Sequence, residues 1–137
     1  MRIAYVTDQF LPGDSTDTIQ LVTMSAAFGE VGVDLRLFYP RIAKDHDAPP
    51  STPDQRVAAE RVAATRIASH YGVQPHFEAV PLDGPYPAPL GLRGLEKLSH
   101  AAISTRLLAN EIAAKDGADI VYTRNLPIVL AALANTR

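Results

Sequence analysis

The sequence contains no cysteine, and this absence excludes several classes of protein at once. A disulfide-stapled scaffold, a thiol nucleophile and a cysteine zinc site all need residues that the chain does not have. The 137 residues do not need such support, because a domain of this size buries roughly 65–70% of the surface that its unfolded chain exposes. We therefore expect one domain held together by ordinary packing.

Strong net charge and long apolar runs are also missing. The formal net charge is -2, from 13 basic and 15 acidic side chains, and no basic stripe of the kind that binds nucleic acid is present. The longest apolar run, residues 126–134, is far shorter than the roughly 20 residues that cross a bilayer. No secretory leader is recognisable at the first methionine. We expect a cytoplasmic protein that binds small molecules and no nucleic acid.

The common signatures of cofactor and metal sites are missing as well. The segment after the first predicted strand reads D-Q-F-L-P-G-D-S-T-D, which is neither the G-x-G-x-x-G of a dinucleotide site nor a P-loop. None of the four histidines has a second metal ligand at helical spacing, and no Ser/His/Asp arrangement is legible. The sequence therefore predicts no cofactor, no metal site and no identifiable catalytic residue.

What the sequence does contain is a regular alternation of strand-like and helix-like segments. Strands are expected over residues 2–7, 33–39, 76–82 and 118–123, and helices over 18–31, 53–71, 95–115 and from 126 onward. Asp17 is expected to cap the first helix, with Gln20 three residues later, and Thr52 to cap the second, with Pro53 at its first position. The alternation is typical of a Rossmann-like, doubly wound α/β fold with a parallel sheet.

Polar residues follow the first and fourth predicted strands, at the sheet edge where open α/β folds bind ligands. Backbone N–H groups between residue 8 and residue 17, ahead of a helix, can hold a phosphate or hydroxyl oxygen. After the fourth strand, the guanidinium of Arg124 offers planar, paired donors to phosphate or carboxylate. The candidate substrate-binding residues are Gly13, Thr16, Asp17, Thr18, Gln20, Arg124 and Asn125.

These assignments have structural alternatives. Asp17 and Gln20 are also explained as a helix cap, whereas Thr16 and Thr18 exceed what a single cap requires. Arg124 is also explained as a surface side chain that pairs with a helix carboxylate. Both interpretations remain open at the level of sequence.

Two segments of the chain resemble family 4 glycosyltransferases. The first segment contains Met1-Arg-Ile-Ala-Tyr-Val-Thr7, Pro12-Gly13, Asp17-Thr-Ile-Gln20, Met24-Ser-Ala-Ala-Phe28 and Gly32-Val-Asp-Leu35. The second segment is Asp119-Ile-Val-Tyr-Thr-Arg-Asn125, which is similar to that family's D-I-V-Y-x-R strand. Residues 41–95 match the family only in their alternation of elements.

The resemblance implies that residues 1–137 are the N-terminal half of a two-domain GT-B enzyme. Such an enzyme transfers a hexosyl group, with retention, from a nucleotide-diphosphate sugar to a sugar, lipid-linked or small-molecule acceptor. The resemblance implies that a C-terminal domain, absent from these residues, holds most of the donor, and that this fragment alone is inactive. It also implies that Gly13 approaches the donor diphosphate through its backbone amide. Asp14 stands where the family often has a second glycine, and Arg124 where many members have a histidine.

Other functions are compatible with the same residues. The first is a non-catalytic module that binds a sugar or another small molecule in the same crevice. The second is an unrelated α/β enzyme, such as a sugar epimerase of GT-B fold. Peripheral membrane contact through Arg93, Lys97 and Arg106 is a further alternative, for which the simpler interpretation is a solvated helix face.

Overall fold

The computed structural model describes residues 1–41, 50–83 and 117–124, and in these ranges the chain has an α/β architecture. Its elements are β1 (Arg2–Val6), α1 (Thr16–Glu30), β2 (Asp34–Arg41), α2 (Pro53–Tyr71), β3 (Glu78–Asp83) and β4 (Ile120–Tyr122). The four strands form one parallel sheet, which confirms the predicted α/β character. The helices predicted over 95–115 and from 126 lie outside the described residues.

β1 lies between β2 and β4 in a sheet of order β3-β2-β1-β4. All of its residues after Arg2 are buried, as is typical of a strand covered on both faces. Val6 pairs with Phe38 of β2, and Tyr5 pairs with Tyr122 of β4. Because β2 and β3 extend the sheet to one side of β1 and β4 lies on the other, the carboxyl ends of β1 and β4 border a topological switch point.

α1 and α2 bury the larger apolar core against one face of the sheet. Leu21 of α1 and Ile67 of α2 meet Leu37 of β2 there, and full burial of each such side chain stabilises the fold by roughly 1.5–3 kcal/mol. A Cβ added at Gly29 would lie 1.6 Å from the carbonyl oxygen of His76. The end of α1 therefore approaches the segment before β3 so closely that only glycine fits.

A second, smaller apolar cluster covers the opposite face of the sheet. Ala4, Val6 and Phe38 are buried there, with Val80 and Leu82 of β3 packed against them. Both faces of the sheet are therefore apolar, in agreement with the unbroken hydrophobic runs of the strands.

α1 begins earlier than the sequence predicts, and Ser15 caps it instead of Asp17. Ser15 has an extended backbone (φ −76°, ψ 151°), and its Oγ accepts a hydrogen bond from the N–H of Thr18 at 3.2 Å. The prediction was wrong because serine and aspartate are about equally good caps, and both occur in this stretch. Asp17 lies in the first turn, where a negative charge interacts favourably with the helix dipole.

α2 confirms its predicted boundaries. The hydroxyl of Thr52 accepts from the N–H of Gln55 at 3.2 Å, and Pro53 occupies the first helical position. Gly72 ends the helix in the left-handed conformation, with φ 68°, which glycine adopts without a steric penalty. Neither of the two described helices is long and apolar enough to cross a membrane.

β2 extends beyond its predicted end, through Pro40 to Arg41. Pro40 pairs with Leu82 of β3, but it lies past Phe38, which is the last residue that pairs with β1. Its missing N–H therefore removes no hydrogen bond to β1, which is how a strand accommodates proline.

Candidate functional site

A crevice opens where β1 and β4 end and α1 begins, and its cavity has a volume of about 340 Å³. This volume is within the roughly 300–1,000 Å³ of typical small-molecule sites. The described residues that line the crevice are Tyr5, Val6, Thr7, Asp8, Gln9, Asp17, Leu21, Thr123 and Arg124. The segments after β1 and β4, which the sequence predicts to lie at the ligand-binding edge of the sheet, both contribute to this lining.

Arg124 connects the two sides of the crevice. Its Nη1 donates a hydrogen bond to Oε1 of Gln20 at 3.1 Å, across a sequence separation of 104 residues. Gln20 thus holds the guanidinium beside the first turns of α1, and Asp17 lines the same crevice. Of the candidate residues, these three come together, whereas Asn125 lies outside the described residues.

Thr16 and Thr18 flank Asp17 in the first turn of α1. Thr18 is only 2% exposed, and its Oγ1 lies 2.8 Å from the carbonyl oxygen of Gly13 and 2.8 Å from that of Ser15. Its hydroxyl therefore donates to the backbone of the loop. Thr16 is exposed at the start of α1, and neither threonine is among the described residues that line the crevice.

The backbone of Gly13 is bound by the end of α2. Its N–H donates to Oη of Tyr71 at 2.7 Å, and Tyr71 Oη donates to the carbonyl oxygen of Gly13 at 2.6 Å. In the adjacent position, Nε2 of His70 lies 3.2 Å from Oδ1 of Asp14. The amide of Gly13 is thus engaged within the protein, so a phosphate would have to displace Tyr71 to reach it.

Sequence reasoning missed Tyr5, a buried residue of β1 that is among those bordering the crevice. Its side chain is 1% exposed, and its ring meets the ring of Tyr122 edge-on, with 4.9 Å between the centroids. Burial raises the pKa of Tyr5 to about 12, Tyr122 adds to the rise, and the positive charge of Arg124 opposes it. The hydroxyl therefore stays protonated at neutral pH and can donate a hydrogen bond.

Two side chains of opposite charge line the crevice. Asp17 contributes a carboxylate from the first turn of α1, and Arg124 contributes a guanidinium from the end of β4. The amide of Gln9 also lines the crevice, and it can both donate and accept hydrogen bonds. In the described ranges, no three His, Asp or Glu side chains gather as metal ligands. The arrangement suits a ligand rich in hydroxyl groups and oxygen acceptors.

Comparisons of this chain with known protein families, with curated proteins and with solved structures find no match. The ligand of the crevice is therefore inferred from the side chains that surround it.

Proposed function

We propose that the chain is the acceptor-side, N-terminal domain of a retaining GT-B glycosyltransferase that uses a nucleotide-diphosphate sugar. In this proposal the crevice between β1, β4 and α1 binds the acceptor. A second domain holds most of the donor and completes the active site above the carboxyl ends of the strands. The Rossmann-like topology of the whole domain is part of the same proposal.

The hydrogen bond between Arg124 and Gln20 is the observation that carries this proposal. The two residues belong to the two separate segments that resemble family 4 glycosyltransferases, and the fold brings both segments to one crevice. Ligands of open α/β sheets bind at this location, beside the switch point in strand order. A chance resemblance in two unrelated stretches would not require the stretches to share a site.

The composition of the crevice supports a sugar as its ligand. Asp8 and Asp17 present carboxylates, which accept hydrogen bonds from hydroxyls, and Gln9 presents an amide, which both donates and accepts. Leu21 adds an apolar side chain to the lining, against which the carbon skeleton of a sugar can pack. Cavities with a few convergent polar groups on a partly apolar wall are typical of small-molecule sites.

Ligand-induced thermal stabilisation tests the binding step. A panel of acceptor sugars and nucleotide sugars is added to the wild-type chain, to Arg124→Ala and to the control Arg66→Ala, which removes an exposed arginine on α2. A ligand at 100 times its Kd stabilises the folded state by about 2.7 kcal/mol. We expect an acceptor sugar to raise the Tm of the wild type and the control but not of Arg124→Ala.

Product analysis by mass spectrometry tests the transfer step, with the full-length product of the reading frame, a nucleotide sugar and the stabilising acceptor. We expect a product heavier by one hexosyl residue, and NMR of the purified product should show the anomeric configuration of the donor. An acceptor that binds but is never glycosylated would favour a non-catalytic sugar-binding module. If neither sugars nor nucleotide sugars change the Tm of any variant, the assignment of the crevice is wrong.

A further inference from the structure

Negative charge exceeds positive charge among the described side chains that line the crevice. Asp8 and Asp17 contribute carboxylates, and the guanidinium of Arg124 is the one cation in the part of the lining that the structure describes. The amide of Gln9 donates to Oδ1 of Asp8 at 3.3 Å, and a neutral amide leaves the charge of the carboxylate uncompensated. A crevice concentrates the field of the charges that line it, so this excess acts on any ligand that enters.

Asp17 lies close to the position of the guanidinium. Nη1 of Arg124 donates to Oε1 of Gln20 at 3.1 Å, and Gln20 follows Asp17 by three residues on α1. Side chains at this spacing are neighbours on the surface of a helix, with about 5–6 Å between their Cβ atoms. The carboxylate of Asp17 therefore opposes the attraction of Arg124 for an anion.

The carboxylate of Asp17 is not used to cap α1. Ser15 is the cap residue, and its Oγ accepts the hydrogen bond from the N–H of Thr18 at 3.2 Å. Asp17 is exposed, and it lines the crevice. Its carboxylate oxygens can consequently accept hydrogen bonds from a ligand.

A hydroxyl group suits both kinds of charged side chain, whereas an anionic oxygen suits only one. A hydroxyl donates to a carboxylate and accepts from a guanidinium. A carboxylate or phosphate group of a ligand accepts from Arg124, but it is repelled by Asp8 and Asp17. An ammonium group donates to the two carboxylates and is attracted by them. The lining thus distinguishes ligands by their charge.

We propose that the crevice selects sugars that carry no anionic group, and that Asp17 is the residue that sets this selection. The ligand class is neutral sugars and amino sugars, and sugar acids and sugar phosphates are excluded. The inference deepens the proposed function and rests on it for the identity of the ligand as an acceptor.

Isothermal titration with three probes of similar shape and different charge tests the selection: glucose, glucosamine and glucuronate. The buffer is slightly acidic, so that glucosamine is positively charged. The proteins are the wild-type chain, Asp17→Asn and the control Asp54→Asn, which makes the same change in the first turn of α2, outside the described lining of the crevice. We expect wild type to bind glucuronate about tenfold more weakly than glucose, and glucosamine at least as tightly as glucose.

Asp17→Asn is expected to narrow the difference in affinity between glucose and glucuronate by about fivefold, because it removes one carboxylate and keeps the shape of the side chain. Higher ionic strength should narrow this difference in wild type as well, because salt screens exposed charges. Asp54→Asn should bind all three probes as wild type does.

Two results for wild type overturn the proposal: binding of glucuronate as tight as that of glucose, and binding of none of the three probes. An unchanged difference between glucose and glucuronate in Asp17→Asn, with its fold verified by circular dichroism, overturns the role of Asp17.

Failure here is distinguishable from failure of the proposed function. If glucuronate binds as tightly as glucose and is glycosylated by the full-length protein, the transferase stands and the charge selection is wrong. If the selection depends on Asp17 but the bound sugars receive no hexosyl group, the ligand class stands and the transferase is wrong.

Discussion

A single side-chain hydroxyl, that of Tyr71, hydrogen-bonds both backbone polar groups of Gly13. It accepts from the N–H at 2.7 Å and donates to the carbonyl oxygen at 2.6 Å. The loop after β1, which borders the crevice, is therefore attached to the end of α2. Since a Cβ at Gly13 would lie 3.1 Å from the carbonyl oxygen of Phe10, the loop is also tightly packed at this point.

Replacement of Tyr71 by phenylalanine is expected to loosen this loop. The part-buried N–H of Gly13 loses its partner, and its carbonyl oxygen keeps only the hydroxyl of Thr18. The free energy of unfolding should therefore fall by about 1–2 kcal/mol. Urea denaturation measures the loss, and hydrogen exchange at the Gly13 amide should become faster. Tyr122→Phe, on β4 at the edge of the sheet that the described residues form, serves as the control. Unchanged protection of the Gly13 amide in Tyr71→Phe would show that the observed hydrogen bonds do not restrain the loop.

Gly29→Ala is expected to destabilise the fold although alanine is the better helix former. Intrinsic propensity favours alanine by about 1 kcal/mol. The added Cβ would, however, lie 1.6 Å from the backbone oxygen of His76, so α1 or the segment before β3 must move. We expect a net loss of about 2–3 kcal/mol, as in overpacked cores. Thermal or urea denaturation measures the loss of stability, with Thr23→Ala, at an exposed site on the same helix, as the control. A gain in stability would contradict this contact.

The carboxylate of Glu60 is buried and depends on Arg36. Its side chain is 7% exposed, and Oε2 lies 3.0 Å from Nη2 of Arg36, which also pairs with Glu78 at 3.0 Å. Arg36→Met leaves the buried carboxylate without its cation and should cost about 3 kcal/mol. The double variant Arg36→Met/Glu60→Leu should recover most of this loss, because it removes the buried charge as well. Urea denaturation measures the free energy of unfolding of both variants. Equal stabilities of the single and the double variant would refute a charge effect.

Alkaline pH is expected to destabilise the protein through Tyr5. Its pKa rises from 10.0 in the unfolded chain to about 12 in the fold. Below pH 10 both states keep the proton. Between pH 10 and 12 the unfolded state releases it first, binds fewer protons, and the free energy of unfolding falls. Tyr5→Phe should lack this component.

The same variant should be more stable than wild type at neutral pH, by about 1 kcal/mol, because it removes a buried hydroxyl without a described partner. Urea denaturation of both proteins across the alkaline range checks both statements. Parallel losses of stability with pH in wild type and variant would assign the effect to another group.

The sequence predicted the elements that depend on local signals. Thr52, Pro53 and Gly72 mark the limits of α2, and each acts within a few residues of its own position. The cap of α1 was misassigned because Ser15 and Asp17 carry equivalent local signals, and tertiary contacts decide between equivalents. The proximity of the segments that follow β1 and β4 was predictable as well, since it follows when these two strands are neighbours in the sheet.

The residues that sequence reasoning missed depend on contacts between distant parts of the chain. Tyr71 reaches Gly13 across 58 residues, and no local pattern indicates that contact. Tyr5 resembles any other apolar position of a buried strand until its pairing with Tyr122 is known. Thr18, in contrast, was predicted to contact a ligand. Its burial results from the path of residues 11–15, and the spacing of Thr18 along the helix does not reveal that path.

The pairing of β1 with β4 has a kinetic consequence. Arg2 donates to Asp119 across 117 residues, whereas β1 and β2 are joined through the short connection of α1. Closing a longer loop loses more chain entropy, so the ladder between β1 and β4 is expected to form late in folding and to open early. The crevice needs that ladder. Binding competence should consequently appear in the last folding phase, and a ligand should slow the departure of β4 more than any other opening of the sheet.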